Sequence, residues 1–393
     1  HIRKIVLIYT NAITTYAPGV QASPKDKSSL QHQKSAELKN AVWADGKNRH
    51  DFNQLINQLA ADFCGIGEYA LKLWFNPMAG KFLGMEASMQ DGQVELDEMG
   101  QPVASDNPKF AGDVIAERIF SFNIIRQAGA KNLKDSEFLC HRKMVKIDDA
   151  RAMVDASTKS DEEKEELKKK IMETPDGTYM VLDGNTGKYN YAKDQCMLKE
   201  WFFRPCAKYP KGYFYIQTGE SILFEGELPF GIFPILMEGF DSTPTSPRFR
   251  SIVKVTRPYQ VEINRCASKM AEHQITLGDD KILVQNGSKL TPGVTLPGVR
   301  SFQYSGMQPI VMEGRTGAQY LEYMNAQISE MYSVAMVEDM LEEKQEKFDP
   351  YQSLFRSIKD KKKFSFYSDK FESFLKSFYA TYIMLCQNYY DKA

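Results

Sequence analysis

The chain has 393 residues, with 50 Lys+Arg against 51 Asp+Glu and a formal net charge of −1. That balance excludes a protein that grips nucleic acid by bulk charge, and 26% charged with 42% hydrophobic residues excludes a wholly disordered chain. No stretch reaches the roughly 18 consecutive apolar residues of a membrane span, since Gly231, Pro234, Glu238 and Gly239 interrupt the most apolar window.

Residues 1–27 read as a connecting arm with one apolar run, Ile5 to Tyr9, followed by Pro18 and Pro24. His1 opens the chain without Met or a signal-peptide pattern, which reads as a piece or the ordered part of a longer chain. The pattern is helical from Ser28 to Trp43, and Asp45-Gly46 is expected to break it. Phe52, Leu55, Ile56, Leu59 and Phe63 then form one buried helical stripe. Gly65 and Gly67 end that helix, and Glu68 to Phe75 reads as a strand. Asn76-Pro77 should turn the chain into a partner strand near Lys81 to Met85, with 86–110 as a polar surface loop.

Val114 to Ile125 has strand-like alternation. Ile147 to Met172 is a charged helical stretch in which Ser160 and Glu163 fit a capping box. A hairpin is expected around Asp183-Gly184-Asn185-Thr186-Gly187, then strands at Leu198 to Phe203, Gly212 to Gln217 and Ser221 to Phe224. The prolines between Pro229 and Pro247 suggest an extended linker, with Ser246-Pro247 starting a helix that Pro258 should kink. After about Thr276 comes a small β-like module over 277–313, then a returning helix from Thr316 to Leu341. Glu342 to Pro350 is a charged break, and Tyr351 to Tyr390 a long aromatic helix. The fold class expected is therefore α+β, with a helical hairpin carrying a β tip.

The two hairpin helices carry opposite charge. Arg248, Arg250, Lys254, Arg257, Arg265 and Lys269 face only Glu262 and Glu272 in the first. The second has Glu322, Glu330, Glu338, Asp339, Glu342 and Glu343 and no basic residue over 316–343. Exposed pairs contribute only ~0–1 kcal/mol each, so charge would choose the register of pairing, within a chain or between subunits, while apolar packing stabilises it.

Chemistry-bearing motifs are weak throughout. Gly65-Ile66-Gly67-Glu68 follows a helix and precedes a strand, the reverse of a dinucleotide loop, and Tyr189 stands where a P-loop needs Ser or Thr. Cys64, Cys140, Cys196, Cys206, Cys266 and Cys386 lack zinc-site spacing and predict buried thiols in a reducing compartment. Asp148-Asp149 and Asp279-Asp280 could hold Mg²⁺ in principle, but adjacent acids point apart and suit surface or capping roles. No catalytic residue, metal site or cofactor is expected. In the last helix Phe364, Tyr367, Phe371, Phe374, Phe378 and Leu385 form an apolar seam, preceded by Lys359, Lys361, Lys362 and Lys363. Those lysines are either a solvated helix start or a basic lip facing a polyanion.

Several phrases, in their order, resemble a tailed-bacteriophage portal protein in the style of the short-tailed phages. They are Phe63-Cys64-Gly65-Ile66-Gly67-Glu68-Tyr69-Ala70-Leu71-Lys72 leading to Asn76-Pro77, Ile119-Phe120-Ser121-Phe122-Asn123-Ile124-Ile125-Arg126 followed by Ala130-Lys131-Asn132-Leu133-Lys134-Asp135-Ser136, and Glu200-Trp201-Phe202-Phe203-Arg204. Arg250-Ser251-Ile252-Val253 with Pro258-Tyr259-Gln260-Val261-Glu262-Ile263-Asn264 is similar to the start of the family's stem helix. The resemblance implies a non-enzymatic ring, usually dodecameric, at one capsid vertex of the virion, with a channel for double-stranded DNA. The partners implied are further copies of the chain, the terminase large subunit, head-to-tail adaptors, and the major capsid and scaffolding proteins, with no membrane. It maps 1–27 to an arm, 28–245 to the wing, 246–276 and 314–341 to the stem, and 277–313 to the clip. A tunnel loop falls on 342–352 and the long wing helix on 353–393, leading toward a crown. On that mapping Glu342, Glu343, Lys344, Gln345, Glu346, Lys347 and the four lysines lie near the DNA path. Arg250, Arg257, Arg265, Lys269, Glu322, Glu330, Glu338 and Asp339 form the subunit seam. Two other readings stay open: a metal-dependent nucleic-acid-processing enzyme, and an unrelated oligomeric scaffold.

Overall fold

The structure is a computed structural model. It describes residues 1–16, 19–87, 89–90, 93–94, 104–127, 129–130, 133–155, 159–171, 194–242, 248–277, 281–283, 286–287, 289–292, 302–306, 310–312, 318–337 and 350–390. The fold mixes helix and strand, α+β as expected. Two units are distinguishable: a larger one of residues 9–251 and 356–393, and a smaller one of 1–8 and 252–355.

The larger unit is organised around β1 (Glu68–Asn76), whose run Tyr69-Ala70-Leu71-Lys72-Leu73 is buried on both faces. Gly67, at φ +98°, lets the chain leave α3 (Phe52–Gly65) and enter this strand. β1 is the middle of a three-stranded antiparallel sheet, flanked by β6 (Asp113–Ile119) and β12 (Ile235–Gly239). One face meets helices: Tyr69 packs on Phe63 of α3 and, at 4.3 Å between ring centroids, on Phe374 of α8 (Pro350–Tyr389). The other face meets a second sheet, where Ala70 and Ile235 share a core with Leu139 and Phe202.

That second sheet is antiparallel throughout, in the order β11 (Ser221–Glu227), β10 (Tyr213–Thr218), β9 (Gln195–Phe203), β8 (Phe138–Lys146), β7 (Ile124–Arg126). The short helices α4 (Ile147–Asp155) and α5 (Asp161–Lys170) close one end through Ala150, Val154, Cys196, Leu198 and Leu223. The expected capping box forms, with Ser160 and Glu163 satisfying each other's backbone N–H groups. The helical layer is aromatic: Trp43 of α2 (Leu30–Arg49) meets Phe52, Phe378, Tyr379 and Tyr382. The seam of α8 is buried as its spacing predicts, with Phe364, Phe371, Phe374, Phe378 and Leu385 at most 6% exposed.

Several local expectations are corrected. The 1–27 arm holds a helix, α1 (Ile2–Tyr16), with Ile5, Tyr9 and Ile13 buried along one stripe. Helix α2 continues through Asp45-Gly46, and the missing side chain of Gly46 leaves room for Tyr382 to pack against the helix. Strand β1 forms no hairpin with the segment after Asn76-Pro77; β2 (Phe82–Ala87) pairs instead with β5 (Ala104–Phe110). The 86–110 loop contains that strand and the short pair β3 (Met89–Gln90) and β4 (Gln93–Val94). The 229–247 linker contains β12, a core strand whose neighbour Pro234 accepts a hydrogen bond from Leu73 N–H at 2.8 Å. The hairpin expected around Asp183 lies outside the described residues.

In the smaller unit α6 (Ile252–Leu277) and α7 (Ala318–Val334) pack against each other. Between them in sequence β13 (Lys281–Leu283) pairs with β16 (Ile310–Met312), and β14 (Lys289–Pro292) with β15 (Phe302–Ser305), both antiparallel. Pro258 is accommodated inside α6. The first helix therefore begins at Ile252, not at Ser246-Pro247, which lie outside the described residues. The returning helix ends at Val334, and Met336 at φ +55° turns the chain before residue 341.

Candidate functional site

The α6–α7 hairpin buries Ile252, Ile263 and Cys266 from α6 and Met331 from α7, a spacing that keeps one stripe inward. Its other faces stay open. Val261 is 52% exposed, Ile275 82% and Tyr323 49%, and Ile310 on the β tip is 67% exposed.

Charged seam residues sit among them. Arg257, Arg265 and Lys269 are exposed on α6, and Glu322 and Glu330 on α7. Arg265 pairs along its own helix with Glu262 at 3.7 Å, and Lys269 with Glu272 at 2.9 Å. Among the described residues Arg257, Glu322 and Glu330 have no ion-pair partner. Arg250 departs from the expected arrangement: it precedes α6, belongs to the larger unit, and its N–H donates to the Asp241 carbonyl at 2.7 Å. Glu338, Asp339, Glu342, Glu343, Lys344, Gln345, Glu346 and Lys347 lie outside the described residues. The four lysines fall on α8, where Lys362 is exposed and Lys363 half-buried; the side chains of Lys359 and Lys361 are not described.

The larger unit holds charge clusters that sequence reasoning passed over. Glu200, on β9, accepts from Lys72 Nζ of β1 at 2.6 Å and from His141 Nδ1 of β8 at 2.8 Å. Lys143 Nζ lies 2.9 Å from its other oxygen. Burial raises this carboxyl, but the two ammoniums and the imidazole hydrogen bond outweigh it and hold Glu200 well below the usual carboxylate range. Burial pushes Lys72 down, and Glu200 only partly restores it. The sequence signal was available: a charge at an inward position of each of two strands calls for a partner of opposite sign. Elsewhere Glu68 is gripped by Arg126 and Arg248, and Asp62 receives both arms of Arg118 at 2.6 Å.

Among the described residues no group of three His, Cys, Asp or Glu could hold a metal ion. Asp148 points to solvent at 90% side-chain exposure and pairs with Arg151; Asp279 and Asp280 lie outside the described residues. Five cysteines are buried, and burial pushes the Cys140 thiol up to about 12. Cys206 is exposed, against expectation. Among the described residues no helix is long and apolar enough to cross a membrane. The chain matches no protein-family model and no curated protein.

Proposed function

We propose that this chain is the subunit of a portal-like ring, a conduit for double-stranded DNA at one capsid vertex and a platform for terminase and tail adaptors. The observation that carries the reading is the hairpin. Two long helices bear a small paired β tip and expose apolar residues, with Arg257 on one rod and Glu322 and Glu330 on the other having no ion-pair partner among the described residues. A positive rod and a negative rod suit a head-to-tail interface, which closes into a ring when the rotation per subunit divides a full turn. An apolar seam would stabilise the contact and charge would fix its register.

The finer assignments follow from the same reading. On this reading α6 and α7 are its stem, 277–313 its clip, and the segment 342–347 lies near the channel. A ring repeats every basic side chain once per subunit, and each phosphate neutralised adds salt-dependent grip. A loop of mixed charge with a slight acidic excess at the constriction would therefore let the duplex slide. Averaged particle images of the purified full chain down the particle axis test the proposal. Closed rings with a central hole are expected; solitary particles, or a metal-dependent nuclease activity in their place, overturn it.

A further inference from the structure

Within the larger unit an apolar cavity of about 320 Å³ lies beside β1, in the size range that takes small molecules. Trp74, Phe214, Ile216, Met384 and Leu385 supply much of its wall. Its charged groups are Lys72, Lys143 and Glu200, the members of the buried cluster. Two ammoniums thus share one carboxylate, which also accepts from His141. Glu117, outside the wall, also acts on Lys72, but within the wall itself two ammoniums stand against one carboxylate, in surroundings where an excess of like charge is costly. Lys143, 26% exposed against 8% for Lys72, is the ammonium with freedom to turn from Glu200 toward another anion. Trp74 lines the same wall, and its indole N–H is buried without a hydrogen-bond partner among the described residues.

An inorganic anion would satisfy the charge but leave the hydrocarbon lining against water. An apolar neutral molecule would fill the space and leave the cation as it was. Both requirements are met by one molecule with an anionic end and a hydrocarbon body. We propose that this cavity binds a medium-chain monocarboxylate, its chain against Trp74, Phe214, Ile216 and Leu385 and its carboxylate on Lys143 Nζ. The site lies inside one subunit, so its fate is separate from that of the ring.

Calorimetric titration of the full chain at neutral pH with sodium octanoate, octan-1-ol and octylammonium tests it. Octanoate should saturate one site and bind at least about tenfold more tightly than the alcohol, the worth of a charge-assisted hydrogen bond, while octylammonium gives no binding. Lys143→Met should cut the octanoate preference to about threefold or less and leave the alcohol's affinity unchanged. Absence of octanoate binding, equal binding of acid and alcohol, or full preference in the folded Lys143→Met protein overturns the proposal. Should that variant not fold, the wild-type ratio of acid to alcohol decides.

Discussion

Lys72 Nζ lies 2.6 Å from Glu200 Oε2, joining the middle strand of one sheet to the middle strand of the other, with the two side chains 8% and 5% exposed. A buried pair of this kind adds little over a well-packed apolar pair, but removing one member strands the other. Glu200→Gln leaves two ammoniums facing a neutral amide, so it should cost about 3–5 kcal/mol in urea unfolding. Lys72→Met combined with Glu200→Leu should recover much of that loss. If the single and double variants are equally unstable, packing rather than stranded charge governs this site.

The same carboxylate sets a pH dependence. Its folded pKa is depressed, so the unfolded chain binds its proton more readily, and stability is lost as pH falls. The contribution is complete above the unfolded glutamate value of about 4.3 and declines below it toward the folded value. Denaturation midpoints measured from neutral pH downward should therefore fall more steeply for the wild type below about pH 4.3 than for Glu200→Gln. Parallel profiles would show that Glu200 is not ionised in the native state.

Glycine 46 gives a prediction opposite in sign to helix propensity. Alanine is normally better inside a helix by roughly 1 kcal/mol. Here the new methyl would meet the ring and hydroxyl of Tyr382. Overpacking of a filled interface costs about 1–3 kcal/mol, so Gly46→Ala should lower the melting temperature. Adding Tyr382→Phe should relieve only the hydroxyl contact and recover part of the loss.

Glycine 46 also shows where sequence reading succeeds and where it does not. Periodicity is a property of one element, and it located the stripe of Phe52, Leu59 and Phe63 and the seam of α8, both of which are buried. Ser160 and Glu163 were legible for the same reason, since a capping box is closed within three residues. The misreadings involve partners distant in sequence. Asp45-Gly46 looks like a helix stop until Tyr382 is placed against it. Ile235 to Gly239 looks like linker, flanked by Pro234 and Phe240, until β1 supplies its hydrogen bonds. The Glu200 cluster gathers residues from β1, β8 and β9, so its parts read as isolated charges within otherwise apolar strands.

Charge reversal on the hairpin separates assembly from folding. Arg257 is exposed and without an ion pair among the described residues, and Arg265 is 72% exposed with a distant partner in Glu262. Arg257→Glu with Arg265→Glu should change unfolding stability by no more than about 0.5 kcal/mol, as for surface positions generally. Oligomers measured by sedimentation should nonetheless weaken, more so at low salt, where like charges across the seam repel unscreened. Unchanged assembly at low salt removes these two residues from the interface.

Deleting residues 342–347 tests the channel assignment most directly. If Glu342, Glu343, Lys344, Gln345, Glu346 and Lys347 face a DNA path, they make no contact needed for closing the ring, and particle images should keep their closed outline. The duplex, however, would lose the loop that meets it at the constriction, so packaging into capsids or retention of packaged DNA should fall. A conduit acts by repelling or releasing phosphate contacts in turn, and the defect should respond to ionic strength as phosphate contacts do. Loss of the ring itself would place the segment in the subunit seam, and intact rings with normal DNA retention would place it away from the bore.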